Sequence, residues 1–238
     1  MYDFFIPYRS PQQNLEMIQK CKELGYTTIG WTIDFNADTQ NLENFLKTLT
    51  LNKVECTIEQ YFRLHIKTSK ANFSFNQIKT FDILSVEPSS VAAFHGACEY
   101  MPIDIITIPN ERIELRDSFL KVAYNRHILI EFLYGDSIIN ESKQKQFFTN
   151  LGYISRSRCR KRLLISCGST ELRKSIDTQA ILTISGFKKD ENVQATQNLK
   201  SHLLKFKTKQ VHAGAIEIVK KREIEHEALA AKKPKLEQ

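Results

Sequence analysis

A strand, a long helix and a second strand, read in that order between residues 127 and 169, constrain this chain more than any other stretch. Ile128–Leu133 and Leu163–Ile165 are short apolar runs. The polar segment between them carries Phe147, Phe148, Leu151 and Ile154 at i, i+1, i+4 and i+7, the spacing of one helical face. A crossover helix between two strands sets those strands parallel, in a sheet that helices cover. Strands of such a sheet are buried on both faces and read as continuous apolar runs. Glu131 interrupts the first run, which predicts a buried acid in need of a partner. Arg63 and Arg126 are the candidates. The helix runs out through Arg156-Ser-Arg-Cys-Arg-Lys-Arg162, five cations in seven residues just ahead of the second strand.

The same alternation runs along the chain. Tyr2–Ile6 reads as a strand, and Ser10-Pro11-Gln12-Gln13 carries a capping-box pattern with proline at the first helical position. Leu15, Met17, Ile18, Cys21 and Leu24 form the face of that helix, and Gly25 ends it. Tyr26–Ile33 is a second strand, and Leu42, Phe45, Leu46 and Leu49 make a helical stripe. Val54–Ile58 and Leu64–Ile66 alternate like strand, with Lys67–Asn72 as a loop. Phe81–Val86, a helix with Val91, Phe94 and Cys98 inward, Ile103–Ile108, and a short helix over Asp117–Tyr124 complete the series. About seven β-then-α units result, the signature of a parallel barrel or a doubly wound sheet. No GxGxxG follows the first strand, so the dinucleotide-binding form lacks support. A chain of 238 residues with 42% hydrophobic content supplies one sizeable core; its length allows one or two domains, and a closed α/β barrel commonly fills such a length as one. Asp177–Ile184 reads as an eighth strand by composition and as a helix by its N-cap Asp177 and following Gly186. Ala195, Leu199, Leu203 and Phe206 give one more helical face. Residues 1–209 therefore form one barrel domain, and 210–238 a charged tail. Lys220-Lys-Arg222 and Lys232-Lys-Pro-Lys235 in that tail read as a nuclear-localisation patch or as a solubilising end.

Lys and Arg total 34 against 27 acids, a net charge of +7, which favours a polyanionic partner. If the long helix continues past Arg156, Arg156/Arg160 and Arg158/Arg162 form ridges of like charge four residues apart. Such ridges repel unless an anion neutralises them, and phosphate suits arginine through bidentate contact. Lys161 belongs to the same patch, and Ser155 and Ser157 add neutral donors. A solvated helix end, where cations face the C-terminal dipole, would need only one or two of them. Lys200, Lys205, Lys207 and Lys209 make a second basic region, equally readable as a solvated face. No apolar run approaches the ~18 residues of a membrane helix, and Asp3, Pro7 and Arg9 interrupt any signal-peptide core. Five cysteines, odd in number and mostly inside apolar segments, read as reduced thiols of a nuclear or cytosolic protein.

Catalytic signals are sparse. The six histidines form no HxH or HxxxH pair and no CxxC occurs, so local metal-ligand spacing is absent. Asp3, Asp34, Glu87 and Glu131 lie near strand ends, where active barrels place catalytic groups. The rival reading is thus a metal-dependent barrel phosphoesterase with Asp3, Glu87 and Glu131 as ligands. Cys167-Gly-Ser169 resembles a nucleophile turn only loosely, without GxSxG.

Ile130-Glu-Phe-Leu-Tyr134, the long helix, Leu164-Ile-Ser-Cys-Gly168 and Glu171-Leu-Arg173 follow one another as in a known family. So do Ala93-Phe-His95 through Asp104-Ile-Ile-Thr107, and Ala123 with Arg126 before the Glu131 strand. In this order the chain resembles the barrel-type protein subunit of archaeal and eukaryotic ribonuclease P and ribonuclease MRP, over roughly residues 1 to 222. A departure is Ser175-Ile176, where that family often has proline. The resemblance implies a metal-free, cofactor-free TIM-like (βα) barrel of about seven parallel strands, related in shape to the polymerase and histidinol phosphatase superfamily. It implies a non-catalytic subunit of a nuclear and nucleolar ribonucleoprotein that acts in tRNA 5′-leader removal and rRNA processing. The implied partners are ribonuclease P RNA, ribonuclease MRP RNA, precursor tRNA through the holoenzyme, a ferredoxin-like subunit and other ribonuclease P proteins, with no membrane. Arg126, Glu131, Ser166, Glu171 and Arg173 are the positions that transfer, as fold-bracing or RNA-facing groups. Arg173 joins Arg156, Arg158, Arg160, Lys161 and Arg162 as an RNA-binding candidate.

Overall fold

Seven strands pair in sequence order, every one parallel to its neighbours. The structure, a computed structural model, describes residues 2–188 except 76, 77, 79, 136, 138, 139, 170, 171, 173 and 174; for residues 175–179 it describes the backbone. The strands are β1 (Tyr2–Pro7), β2 (Thr28–Asn36), β3 (Glu59–Thr68), β4 (Ile83–Pro88), β5 (Ile105–Ile108), β6 (Leu129–Leu133) and β7 (Leu163–Ser166). The helices are α1 (Pro11–Glu23), α2 (Leu42–Thr48), α3 (Val91–Glu99), α4 (Asp117–Asn125), α5 (Glu141–Arg156) and α6 (Ser175–Ile184). A 3-10 turn, Arg158–Arg162, leads from α5 into β7. The sheet curls into a nearly closed barrel. Among the described residues no helix is long and apolar enough to cross a membrane.

The strands present two different faces. Ile6, Ile29, Trp31, Leu64, Ile106, Ile130 and Phe132 point outward and pack with α1, α3, α4 and α5 into one apolar layer. Alternate residues point into the barrel, and many are polar: Thr32, Arg63, His65, Ser85, Thr107, Glu131 and Ser166 are all buried. Barrels of this type usually fill their interior with branched apolar residues. This one sets a hydrogen-bonded polar layer among inward-facing Phe5, Ile83, Ile105, Leu129 and Leu164.

Helix ends follow the local chemistry. Gly25 (φ 79°) and Gly186 (φ 85°) each close a Schellman turn, with Tyr26 N–H bonding Cys21 C=O and Phe187 N–H bonding Leu182 C=O. Asp177–Ile184 is thereby a helix, not an eighth strand. The same turn ends α4, where Ile128 N–H bonds Ala123 C=O, but its left-handed position is taken by His127 at φ 63°.

Several expectations need correction. Pro11 does start α1, but the Ser10 hydroxyl bonds the Gln13 side chain and caps no backbone N–H. The buried face of α1 is Asn14, Ile18 and Cys21, leaving Leu15 51% exposed, because Asn14 is drawn inward by two bonds with the Arg9 backbone. Val54–Ile58 is not a strand. Gln60 side-chain bonds to Val54 N–H (3.1 Å) and C=O (2.6 Å) take the place of a strand neighbour. Lys67 and Thr68, expected in a loop, finish β3. The expected domain boundary at 209/210 and the tail lie outside the described residues.

Closure of the barrel rests on Asp3. Among the described residues β1 and β7 share no ladder. A bulge in β1 between Asp3 and Ile6 frees the Phe5 N–H, which donates to Asp3 Oδ1 (2.9 Å). Asp3 Oδ2 reaches across the seam to the Cys167 N–H (2.9 Å), and Gly168 N–H bonds Phe5 C=O (3.3 Å). Gly30 makes room for this bulge, since a Cβ there would stand 2.7 Å from Phe4 O. Removal from water outweighs the two N–H bonds and pushes the Asp3 carboxyl up to about 7. Its folded pKa thus lies above the unfolded ~3.9, so its contribution to stability is complete below about pH 4 and is lost as pH rises through about 7. Comparing the unfolding free energy of wild type with that of Asp3→Asn isolates this group from carboxylates of opposite sign. The wild-type advantage is expected to shrink by roughly 2–3 kcal/mol between pH 5 and pH 8. Parallel pH profiles for the two proteins would show that Asp3 does not titrate in this range.

Candidate nucleic-acid interface

Three regions hold the chemistry: the barrel interior, the mouth at the C-terminal ends of the strands, and the underside at their N-terminal ends. In the interior β3 points Arg63 at Glu131 on β6, and both are 0% exposed. Arg63 Nη1 and Nη2 bond the two Glu131 oxygens at 2.7 and 2.5 Å. The remaining guanidinium donors go to Ser85 Oγ (2.7 Å), Phe4 C=O (3.0 Å) and Thr107 Oγ1 (3.0 Å). Glu131 in turn accepts from Ser166 Oγ (2.6 Å) and Thr107 Oγ1 (2.8 Å). All five N–H groups of the arginine and all four acceptor positions of the carboxylate are therefore occupied. Burial would raise the Glu131 pKa, but Arg63 and the two hydroxyls more than offset it and hold the carboxyl below its usual range. No lone pair is left there for a substrate or a metal ion.

Arg126 is not the partner of Glu131. It bonds the carbonyls of Ala97, Cys98 and Met101 at 3.4, 2.9 and 2.6 Å, closing the C-terminal end of α3. Arg126, Glu131 and Ser166 are thus brought into the framework as braces. Glu171 and Arg173 lie outside the described residues.

Above the core pair, His65 sets Nδ1 3.1 Å from Ser85 Oγ and Nε2 3.1 Å from Glu87. Serine, histidine and acid in a row resemble a hydrolytic triad, but Ser85 already accepts from Arg63 and lies 3.2 Å from the Leu64 carbonyl, fully buried. A nucleophile must be reachable by substrate, and this hydroxyl is not. Burial tends to raise the Glu87 pKa, and His65 together with the nearby charges of Lys67 and Arg63 more than reverses this. The mouth itself is a cavity of about 260 Å³ with Asp34, Glu87 and Glu111 facing Lys67 and Lys143. Among the described residues no three His, Cys, Asp or Glu side chains gather as a metal-ligand set. The three ligands of the phosphoesterase reading each have other work: Asp3 at the seam, Glu87 with His65, Glu131 with Arg63.

The cationic segment sits on the underside, because it immediately precedes β7. The α-helix does not continue through it. Ser157 turns extended (φ −87°, ψ 170°), and its hydroxyl oxygen accepts from Cys159 N–H to start the 3-10 turn. The expected Arg156/Arg160 and Arg158/Arg162 ridges therefore do not form. With three residues per turn, Arg158 and Lys161 stack on one side while Cys159 is buried on another. Arg156, Arg158 and Lys161 are exposed. Arg160 and Arg162 are held back: Arg160 bonds Gly186 C=O (3.3 Å) over the Phe187 ring, and Arg162 bonds His127 Nδ1 (2.5 Å) over the Tyr124 ring. His127 is a residue that sequence reading missed. Only a non-glycine at the end of α4, where the Schellman turn wants glycine, could have drawn attention to it. Such a conformation costs about 1–2 kcal/mol, and here it aims the imidazole at Arg162.

Breaking the interior pair leaves a buried charge without its counterion. Glu131→Ala is expected to lose about 3–5 kcal/mol of stability, whereas an Arg63→Met/Glu131→Leu double variant should lose less than either single change. Thermal unfolding of the three proteins measures this, and an unchanged melting temperature for Glu131→Ala would contradict the assignment.

Comparison with known proteins agrees with this geometry. Residues 1–211 match the family model described as RNase P subunit p30. The chain is 24% identical over 266 residues to "Protein GAMETOPHYTE DEFECTIVE 1" of Arabidopsis thaliana, covering 91% of this chain and 46% of that protein. It is 28% identical over 170 residues to "Ribonuclease P protein subunit drpp30" of Dictyostelium discoideum, covering 67% and 45%. It is 22% identical over 185 residues to "Probable ribonuclease P protein subunit 3" of Schizosaccharomyces pombe, covering 74% and 79%. The chain thus spans about half the length of the first two relatives. A chain in the cryo-EM structure of archaeal ribonuclease P with mature tRNA shares the fold, with a TM-score of 0.59 at 16% identity over 85% of this chain and 90% of that one. With the family match running through the barrel strands and helices alike, this chain belongs to the RNase P subunit p30 family.

Proposed function

We propose that this chain is a non-catalytic protein subunit of ribonuclease P and ribonuclease MRP. In this reading the RNA carries out removal of the precursor tRNA 5′ leader, and the barrel braces that RNA and supplies cationic surface. Family membership supports the assignment, as do the names of the relatives in Dictyostelium and fission yeast. The observation that carries the RNA contact is the underside. Among the described residues no carboxylate pairs with Arg156, Arg158 or Lys161, and all three are exposed on a rim that α5 and the 3-10 turn hold in place. Arg160 and Arg162 act as anchors of that rim. Guanidinium and ammonium groups without a counter-charge at a surface are suited to phosphate oxygens. Ribonuclease MRP RNA, a ferredoxin-like subunit and other proteins of the particle belong to the same proposal, as does residence in the nucleus and nucleolus. The basic clusters Lys220–Arg222 and Lys232–Lys235 motivate that location. Arg173 remains a candidate contact by its match to the family pattern.

The test uses the reconstituted particle with ribonuclease P RNA. Each neutralised phosphate contributes roughly 0.7 to 0.9 to the slope of log affinity against log salt. An Arg156→Gln/Arg158→Gln/Lys161→Gln variant is expected to bind more weakly and to flatten that slope by about two, with its melting temperature preserved. Unchanged affinity and unchanged slope would make the rim a solvated helix end.

A further inference from the structure

Beside the underside rim, a second surface carries a more specific chemistry. The loop after β5 and one face of α5 enclose a groove of about 420 Å³ on the flank of the barrel. On α5 its wall is Gln146, Asn150, Tyr153 and Arg156, at i, i+4, i+7 and i+10, a stripe roughly 15 Å long at 1.5 Å per residue. The opposite wall is Arg112 and Ile113. The groove is therefore flanked by two guanidinium groups, and both arginines are exposed. Glu114, the acid among its lining residues, is already bound to Arg116 by two bonds of 3.0 Å. Charge along the groove is thus positive.

Its wall also holds a buried donor. Asn150 is only 4% exposed, and Gln146 Nε2 donates to its Oδ1 at 2.8 Å. In that pairing Nδ2 is a buried donor with no hydrogen-bond partner among the described residues. Buried donors are nearly always satisfied, so an unpaired one calls for an explanation. Next to it lies the Tyr153 ring, with Asp117 close to its hydroxyl. An aromatic ring, an amide donor and two flanking guanidiniums match the parts of a nucleotide: base face, base carbonyl or ribose oxygen, and phosphates.

We propose that this groove binds a short single-stranded segment of RNA. One base stacks on Tyr153, an acceptor of the nucleotide meets Asn150 Nδ2, and adjoining phosphates lie against Arg112 and Arg156. The inference rests on the reading of this chain as an RNA-binding subunit and deepens it. The underside rim contacts backbone charge, whereas the groove selects unpaired strand. Arg156 stands where the two surfaces meet.

The experiment measures binding of a fluorescent ten-residue oligouridylate, and of an RNA duplex of equal length, to the full-length chain across a salt series. Arg112→Gln is expected to weaken binding of the single strand and flatten its salt slope by about 0.7. Tyr153→Leu should weaken it at least fivefold through lost stacking, while Tyr153→Phe, which keeps the ring and loses the hydroxyl, should bind as wild type. Thermal unfolding of each variant separates lost contact from lost fold. Arg158→Gln/Lys161→Gln serves as the comparison. If that pair loses affinity while Arg112→Gln and Tyr153→Leu bind like wild type, the groove proposal fails and the RNA-binding reading stands. If wild type binds neither RNA, alone or in the reconstituted particle, both fail. If poly-glutamate binds with dependence on Arg112 and Tyr153 while the oligouridylate does not, the groove takes an acidic protein segment and the proposal is overturned. Equal loss in Tyr153→Phe and Tyr153→Leu would assign the effect to the hydroxyl and likewise overturn the stacking.

Discussion

Everything inside this barrel is arranged around one ion pair, Arg63 with Glu131. Two charges removed from water are tolerable only when every lone pair and every N–H is answered. Four strands answer them, β1 through the Phe4 carbonyl, β4 through Ser85, β5 through Thr107 and β7 through Ser166, and the pair itself stands on β3 and β6. A network of that kind has one satisfactory geometry, so it fixes strand register as well as contributing attraction. It also explains the β1 bulge, since the displaced Phe4 carbonyl is what Arg63 Nη1 reaches. Such complete use of donors and acceptors is the property of a brace.

A barrel so filled has no room for chemistry at its centre, and its two ends differ accordingly. At the mouth, acids and lysines face one another around a small cavity, with His65 and Glu87 bonded beneath it. At the underside Asp82 and Asp104 are occupied by the Phe62 and Leu84 N–H groups, while Arg156, Arg158 and Lys161 are exposed with no carboxylate partner among the described residues. The usual seat of function in (βα) barrels is the mouth. Here the exposed cations Arg156, Arg158 and Lys161 lie at the opposite end, and Arg112 and Arg156 flank the adjoining groove. That distribution fits a protein that presents surface to RNA better than one that encloses a small substrate.

Closure shows the same economy. A seven-strand sheet that nearly meets itself must handle two edges with unmet N–H groups. One aspartate does so by bonding the Cys167 N–H across the seam, where an eighth strand would otherwise be needed. Held out of water, that carboxyl titrates near neutrality, in contrast to Glu131, whose arginine keeps it ionised.

What the sequence determined was periodicity and the points where periodicity is broken. The β-then-α alternation, the long polar helix before Leu163, the glycines at 25 and 186 and the oddness of Glu131 are all local properties, and each was legible. Local signals ran short wherever a side chain substitutes for backbone. Gln60 replaces a strand neighbour of Val54, Asn14 displaces Leu15 from the buried face, and the Ser157 hydroxyl ends α5 before the arginines can line up. The tertiary structure alone decided which arginine meets Glu131. Arg63 and Arg126 are indistinguishable by composition, yet β3 and β6 face each other across the barrel while Arg126 falls beneath α3. It alone decided, too, that five cations in seven residues divide into three exposed and two anchored. A 3-10 turn places every third residue together, and the neighbours that hold Arg160 and Arg162 come from segments 26 and 35 residues away in the chain.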